Sequence, residues 1–144
     1  MSVEENKALV RRWVEEAWNN KNLSVVEETW DPNWIDHSGP PGQPAGPEGA
    51  RQFVTQFSAA FPDVHITIED MVGEGDTVVY RWTGRATHQG VFQGIPPTGR
   101  RVEVPGITIH RILSGKITET WGLVDTLGML QQLGVLPAEK GADA

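Results

Sequence analysis

Hydrophobic residues recur at helical intervals of three and four in the first twenty positions. The apolar stripe consists of Leu9, Val10, Trp13, Val14, Ala17 and Trp18. This spacing predicts a helix over about 3–20. Ser2 and Glu5 have the spacing of a capping box, which indicates that the helix begins directly after Ser2.

Two shorter helical patterns follow. Ser24 and Glu27 repeat the capping-box spacing and predict a helix that stops before Asp31-Pro32, because a residue that precedes proline avoids helical geometry. Pro47 suits the first turn of a third helix, which should end near Phe61. The apolar face of this helix consists of Ala50, Phe53, Val54 and Phe57.

Beyond residue 62 the apolar positions alternate with polar ones, which is the period of a half-buried strand. The first strand begins with Val64, Ile66 and Ile68 on one face, and the second covers 77–88. The side chains predicted to share one face of the second strand are those of Val78, Tyr80, Trp82, Ala86 and His88. Segments 101–113 and 116–124 predict a hairpin, with a bulge or bend at Pro105-Gly106. A last helix over 126–133 is closed by Gly134.

Helices followed by a block of antiparallel strands predict an α+β architecture. The amphipathic helices cover one face of a bent sheet, and residues 1–144 form a single domain with a core over about 3–134. The strand over 101–113 is apolar on both faces, with Ile107 and Ile109 on one and Val102, Val104 and Ile112 on the other. Because an apolar second face needs a cover, we expect a homodimer.

Composition excludes several classes of function. The chain of 144 residues carries a net charge of −7 and no stripe of Lys or Arg, so we expect no nucleic-acid partner. No apolar run approaches the length of a membrane span, and the acidic N-terminus lacks the features of a signal peptide. Because the chain has no cysteine, we expect a cytoplasmic protein. The four His show no H-x-H or HExxH spacing, so we expect neither a metal nor another cofactor.

The second strand of the hairpin ends in the strongest candidate for chemistry. Trp121 and Asp125 close this apolar strand, and the last helix follows at once. A carboxylate at the rim of an apolar sheet suits proton transfer, because an apolar surrounding makes it a stronger base. Asp is equally favoured as a helix N-cap, where its carboxylate accepts backbone N–H bonds. The two roles of Asp125 are compatible.

Several motifs carry a family signature. They are Thr87-His88-Gln89-Gly90, Gly94-Ile95-Pro96-Pro97-Thr98-Gly99, Gly115-Lys116-Ile117 with Glu119, Trp121 with Asp125, and Asp36-His37. With these motifs and its opening helix, the sequence resembles the SnoaL-like polyketide cyclase family, within the nuclear-transport-factor-2-like superfamily. The resemblance implies a strongly curved antiparallel sheet wrapped round the N-terminal helices, as a cone-shaped barrel with a cavity inside.

The resemblance also implies catalysis in that cavity. In characterised cyclases of the family an Asp acts as acid and base, and it drives an intramolecular aldol ring closure without metal or cofactor. The matching residue here is Asp125. A His on the preceding strand assists in those enzymes; His110 is the best match, and His88 is the other candidate. Thr120 stands where relatives often carry another His.

Six side chains are candidate contacts for a small apolar or aromatic substrate. They are His88, Tyr80, Trp82, Trp121, Trp34 and His37. Each also has a structural interpretation. Tyr80, like His110, fits a hydrogen-bonded core residue, although a buried phenol or neutral imidazole can donate to a substrate oxygen. The indoles fit either the core or flat walls for a planar ligand.

The remaining alternatives concern loops. His88 either lines the mouth of the cavity or caps the loop that follows it. His37 either takes part in the site or bonds within its own loop. The Gly- and Pro-rich segments 38–47 and 94–99 are either lids or plain connections.

Three classes of function fit these residues. The first is a cofactor-free acid/base enzyme that acts on a carbonyl-activated carbon, most specifically by intramolecular aldol cyclisation of a polyketide-like substrate. The second is a hydrolase, dehydratase or isomerase on the same fold. Epoxide hydrolases that resemble it use an Asp-Arg-Asp relay, whereas Arg111 is followed here by Ile112. The third is a noncatalytic dimer that binds a small ligand, in which Asp125 only caps its helix.

Overall fold

The structure is a computed structural model that describes residues 2–39 and 41–137. The helices are α1 (Val3–Trp13), α2 (Val25–Thr29), α3 (Gly46–Ala60) and α4 (Thr126–Gln132), with a π-helical segment (Val14–Asn19) that continues α1. The strands are β1 (Trp30–Asp36), β2 (His65–Glu74), β3 (Thr77–Thr87), β4 (Arg101–Leu113) and β5 (Lys116–Val124). The predicted fraying of the tail over 138–144 falls outside the described residues.

The start of α1 confirms the predicted capping box. The Ser2 hydroxyl accepts the backbone N–H of Glu5 at 3.1 Å, and the Glu5 carboxylate accepts the backbone N–H of Ser2 at 3.1 Å. The second capping box is wrong, although its helix exists as α2. Ser24 already has helical backbone angles, and its hydroxyl donates to Asn22 Oδ1 at 2.6 Å instead.

The five strands form one curved, open sheet in the order β1-β5-β4-β3-β2. Strands β2 to β5 are antiparallel, as predicted, but β1 runs parallel to β5. The predicted α+β fold with a curved antiparallel sheet is therefore confirmed, with β1 added in parallel at one edge. The chain passes through a helix and three strands between β1 and β5, so no tight hairpin imposes an antiparallel arrangement on them.

The sequence predicted a bulge or bend at Pro105-Gly106, and the bulge is wrong. The pairing of β3 with β4 continues unbroken through both residues, and the bulges lie elsewhere. Pro105 faces the end of β5, where its carbonyl accepts the Asp125 N–H, so its missing N–H interrupts no ladder bond. Gly106 is required sterically, because a Cβ there would lie 2.2 Å from the Trp82 ring.

The helices pack on the inner face of the sheet, where the predicted alternation of β3 is confirmed. One core cluster joins Val10, Trp13, Val14, Trp30, Trp34, Tyr80, Ile112 and Ile117, and a second joins Phe61, Val64, Ala86, Val102, Val104, Met129 and Leu133. On β4, Gly106 and Thr108 face inward between the two clusters and belong to neither. No helix of residues 2–39 and 41–137 covers the outer face, and Ile107 and Leu123 are 50% and 80% exposed there.

Candidate functional site

Asp125 lies at the rim of the sheet, directly after β5. Its Oδ1 accepts the backbone N–H of Gly128 at 2.9 Å, so the carboxylate caps α4 as the sequence predicted. The side chain is exposed. No donor among residues 2–39 and 41–137 reaches Oδ2 within hydrogen-bond distance, so one carboxylate oxygen of Asp125 is available to a ligand.

Gly128 makes room for this carboxylate. A Cβ at position 128 would lie 2.2 Å from Asp125 Oδ2 and 2.8 Å from its Cγ, so any larger residue would displace the carboxylate. Sequence reasoning did not single out Gly128. The signal was an Asp-x-x-Gly spacing at the start of a helix, where glycine is otherwise unfavourable.

An open cleft of about 320 Å³ adjoins Asp125. It is lined by Arg81, Pro105, Gly106, Ile107, Leu123, Val124 and Asp125. Most of these residues lie on the outer face of β3, β4 and β5. The lining is largely apolar, with Arg81 as its cation and Asp125 as its anion. Arg81 was missed because the sequence places it on the polar side of its strand, with nothing to indicate Asp125 as a neighbour.

His110 forms the centre of a buried polar network on the inner face. Its Nδ1 lies 2.8 Å from the Thr120 hydroxyl, and its Nε2 lies 3.2 Å from the Tyr80 hydroxyl. The Trp34 Nε1–H donates to the Thr120 hydroxyl at 2.8 Å. All four residues are buried, and the network brings together three predicted site residues: His110, Tyr80 and Trp34.

Burial keeps both ionisable members of the network neutral. It lowers the pKa of His110 to about 3, because the interior disfavours imidazolium. It raises the pKa of Tyr80 well above the usual range of a phenol, and the Thr108 hydroxyl beside it offsets only part of this shift. At neutral pH the network therefore contains an imidazole and a phenol rather than a charged pair.

Asp125 and His110 do not meet. His110 pairs across the ladder with Thr120, and Asp125 follows five residues later. At about 3.3 Å per residue, the two positions are about 16 Å apart along the sheet. His110 also faces inward, whereas the cleft beside Asp125 opens outward.

His88 fastens the loop that connects β3 to β4. Its backbone N–H donates to Arg100 O and its carbonyl accepts from Gly99 N, both at 2.9 Å. Its Nδ1 accepts the backbone N–H of Thr98 at 3.2 Å and lies 3.0 Å from the Thr98 hydroxyl. The imidazole is fully buried and stacks on Phe61, so its contacts are those of the loop cap that the sequence allowed.

His37 and Trp121 form a separate cluster on the outer side. Their rings stack with centroids 4.7 Å apart, and the His37 Nε2 lies 2.9 Å from the Glu119 carboxylate. Arg111 bonds the other Glu119 oxygen at 2.9 Å and lies over the Trp121 ring. The hydrogen bond from His37, with the charge of Arg111, lowers the pKa of Glu119. The cluster is partly exposed and hydrogen-bonded within itself.

Trp82, the last of the predicted contacts, is half-buried on the inner face. Its Nε1–H donates to the Thr108 hydroxyl at 3.0 Å. Within residues 2–39 and 41–137, no three His, Cys, Asp or Glu side chains come together as possible metal ligands. None of the helices in this part of the chain is long and apolar enough to cross a membrane.

Comparison with known proteins agrees with this fold. The family model described as SnoaL-like polyketide cyclase matches residues 8–133. The chain belongs to the SnoaL-like polyketide cyclase family. Among its relatives is the aklanonic acid methyl ester cyclase DnrD from Streptomyces peucetius, 32% identical over 131 residues that cover 88% of each chain.

Two solved structures, one from a Streptomyces species and one from Agrobacterium tumefaciens, have a similar fold. TsrD from Streptomyces laurentii has a TM-score of 0.87 and 29% identity, and the match covers 94% of this chain and 99% of TsrD. A SnoaL-like polyketide cyclase from Agrobacterium tumefaciens has a TM-score of 0.78 over 93% of this chain and all of that one. At 22% identity, the second likeness supports the fold alone.

Proposed function

We propose that this protein is a cyclase that closes a ring by proton transfer at a carbon activated by a carbonyl group, with Asp125 as the base. The observation that carries the proposal is the Asp125 carboxylate: Gly128 fixes its Oδ1, and its Oδ2 accepts no hydrogen bond from the described residues. Membership of a cyclase family supports the reaction type. The apolar lining of the adjoining cleft supports a substrate of low polarity.

The proposed reaction uses only groups on the chain and substrate. Asp125 Oδ2 takes the proton alpha to a carbonyl, and the electron pair moves to the carbonyl oxygen to give an enolate. The enolate carbon then attacks a second carbonyl of the same molecule, which forms the ring bond and an alkoxide. Protonated Asp125 returns its proton to the alkoxide. Arg81 lies in the same cleft, and its cation would stabilise the negative oxygen at both stages.

The other predicted site residues divide by accessibility. Trp82, Trp121 and His37 are at least partly exposed and are proposed as direct contacts of the ligand. Trp34, Tyr80, His88 and His110 are buried, so they would act on a ligand through their neighbours. We therefore propose His110 as a positioning residue that fixes Tyr80 through their 3.2 Å contact.

The relative DnrD suggests a substrate class. It is a cyclase of aklanonic acid methyl ester, so we propose a polyketide methyl ester as substrate here. A cytoplasmic location suits a chain without cysteine, which needs no oxidising compartment.

We also propose that the protein works as a homodimer through the outer face of the sheet, in which the partner copy covers the open side of the cleft that Ile107 and Leu123 line. Val72, Ile107, Leu113 and Leu123 are 59%, 50%, 45% and 80% exposed on that face. A cluster of exposed apolar side chains marks an interaction surface. Arg85 and Glu103, which pair with each other at 3.4 Å, add charges of both signs to this face, which are compatible with contact between two copies of the same surface.

Replacement of Asp125 tests the proposed function. Asn caps helices as well as Asp, so Asp125→Asn should keep the fold while removing the base. With aklanonic acid methyl ester and related polyketide esters, we expect loss of cyclised product of at least about a hundredfold by chromatography and mass spectrometry. Asp70→Asn removes an exposed carboxylate from β2 and should turn over normally. Full activity of Asp125→Asn would refute the proposed mechanism.

One observation favours a second function, noncatalytic ligand binding: the helix cap alone accounts for the presence of an Asp at position 125. In that case the protein binds a small ligand without changing it. Unaltered ligand recovered from a complex with wild-type protein, with no product across the ester panel, would favour this binder over the cyclase.

A further inference from the structure

The strand β4 extends beyond the end of β5, and α4 covers the part that β5 leaves without a partner. The last pair of the ladder between these strands joins Gly106 with Val124. After this pair the Asp125 N–H still donates to the Pro105 carbonyl at 3.1 Å, and the chain then turns into α4. Backbone groups on an unpaired strand edge need other partners, so the edge over 101–105 must be bonded by something other than a strand.

Gln132 supplies such bonds from the last residue of α4. Its Oε1 accepts the Glu103 N–H at 2.7 Å, and its Nε2–H donates to the Glu103 carbonyl at 3.0 Å. Glu103 and Pro105 are two residues apart, so their backbone groups point to the same edge of β4. The side-chain amide therefore bonds Glu103 as the backbone of a neighbouring strand would.

The helix α4 is too short to be stable without contacts to the sheet. It has seven residues and contains Gly128, and isolated helices of this length do not persist in water. Met129 and Leu133 lie one turn apart and are buried against the sheet. Such apolar contacts resist separation but have no preferred direction. The hydrogen bonds of Gln132 are directional, so they fix where α4 lies along β4.

The position of α4 determines the position of the Asp125 carboxylate. Asp125 Oδ1 accepts the Gly128 N–H at 2.9 Å, and the Asp125 carbonyl accepts the Met129 N–H at 3.1 Å. Both donors belong to α4, so movement of the helix carries the carboxylate with it. Hydrogen bonds hold α4 on β4 at both ends, through the Asp125 N–H at its start and the Gln132 amide at its end.

We infer that Gln132 is a positioning residue for Asp125. Its two hydrogen bonds hold the end of α4 on β4, and through α4 they hold the Gly128 N–H that fixes the carboxylate. The catalytic consequence rests on the proposed function, in which Asp125 is the base. The structural consequence does not rest on it, because it concerns only where the carboxylate lies.

Gln132→Met removes both hydrogen bonds and keeps an unbranched side chain of similar helix propensity. Because Gln132 is exposed, the substitution leaves the core unchanged. Loss of two neutral hydrogen bonds changes an equilibrium by a factor of about 5–30. Hydrogen exchange followed by NMR should therefore be about 5- to 30-fold faster at the amides of Gly128 and Met129 than in wild type.

Two control variants separate position from stability. Gln131→Met makes the same replacement one residue earlier, where the side-chain amide has no hydrogen bond within the described part of the chain, and it should behave like wild type. Asn19→Ala removes a similar pair of bonds, at 2.7 and 2.9 Å, to the Ile66 backbone of β2. It should lower the urea midpoint about as much as Gln132→Met does, yet leave hydrogen exchange at Gly128 unchanged.

Turnover of the polyketide ester panel measures the catalytic consequence. Displacement of a catalytic group by about 1 Å costs about a hundredfold in rate, and a partly released helix should cost less. We expect Gln132→Met to lower kcat about tenfold. KM should change little, because Gln132 does not line the cleft beside Asp125. Asn19→Ala should keep the kcat of the wild type.

Unchanged hydrogen exchange at Gly128 and Met129 in Gln132→Met would overturn the inference, whatever the turnover. Faster exchange with a normal kcat would overturn the positioning role, and so would an equal fall of kcat in Asn19→Ala. Full activity of Asp125→Asn would instead count against the proposed cyclase, and it would leave the hydrogen-exchange result as it stands. The two failures are therefore distinguishable.

Discussion

Gly128→Ala separates the position of the Asp125 carboxylate from its chemistry. The added Cβ would lie 2.2 Å from Oδ2, 2.8 Å from Cγ and 3.0 Å from Oδ1 of Asp125. Because these contacts are too short, the carboxylate must rotate away from α4. Its hydrogen bond to the residue 128 N–H, 2.9 Å long in the wild type, would then be lost.

The effects on stability should nearly cancel. Loss of the N-cap bond costs about 1 kcal/mol, whereas alanine in place of glycine favours the helix by about 1 kcal/mol. We therefore expect the free energy of unfolding to change by less than about 1 kcal/mol. Displacement of a catalytic group by about 1 Å or more reduces a rate by about a hundredfold. Activity should thus fall strongly in a protein of nearly normal stability.

Urea unfolding and a turnover assay with the polyketide ester panel measure the two quantities. Leu127→Ala is the matched control, because Leu127 lies in the same turn of α4, is 59% exposed and takes no part in the hydrogen bond from Gly128 to Asp125. It should keep both stability and activity. Wild-type turnover in Gly128→Ala would mean that the fixed position of Asp125 has no part in the reaction.

Three further predictions test other parts of the structure. Because burial lowers the pKa of His110 to about 3 from an unfolded value near 6.5, only the unfolded state takes up this proton as pH falls below 6.5. His110 should therefore cost the wild type up to about 2 kcal/mol of stability between pH 6.5 and 5. His110→Gln should lose that dependence in urea unfolding, and an unchanged dependence would contradict neutral burial. Gly106→Ala places a Cβ 2.2 Å from the Trp82 ring and should destabilise the fold by about 1–3 kcal/mol in the same assay; a neutral effect would mean that Trp82 moves freely. Leu123→Asp puts a charge on the outer face and should convert a dimer to a folded monomer in sedimentation velocity, whereas a wild type that is already monomeric would rule out the proposed interface.

The sequence predicted local structure well because local signals determine it. The hairpin of β4 and β5 has the predicted bounds, since alternation and the Ser114-Gly115 turn are encoded within a few residues. The N-cap of α4 by Asp125 was predicted for the same reason. Pro105-Gly106 was misinterpreted, because the need for glycine comes from Trp82 on the neighbouring strand.

The candidate site could not be predicted in the same way, because it is formed by residues that lie far apart in the sequence. Trp34 and Thr120 are 86 residues apart, and Tyr80 and His110 are 30 apart, so periodicity gave no indication of either hydrogen bond. Their meeting follows from the parallel pairing of β1 with β5 and the register of β3 with β4. The registers of β3 with β4 and of β4 with β5 put Arg81 in the cleft that adjoins Asp125, and the second register separates Asp125 from His110.

The most direct test of the account follows the proton itself. Proton NMR in deuterated water can monitor exchange at the carbon alpha to the carbonyl of a polyketide ester in the presence of the protein. We predict rapid deuterium incorporation with wild type and with Asp70→Asn, and incorporation at the uncatalysed rate with Asp125→Asn. Equal exchange with wild type and Asp125→Asn would contradict the assignment of the Asp125 carboxylate as the base.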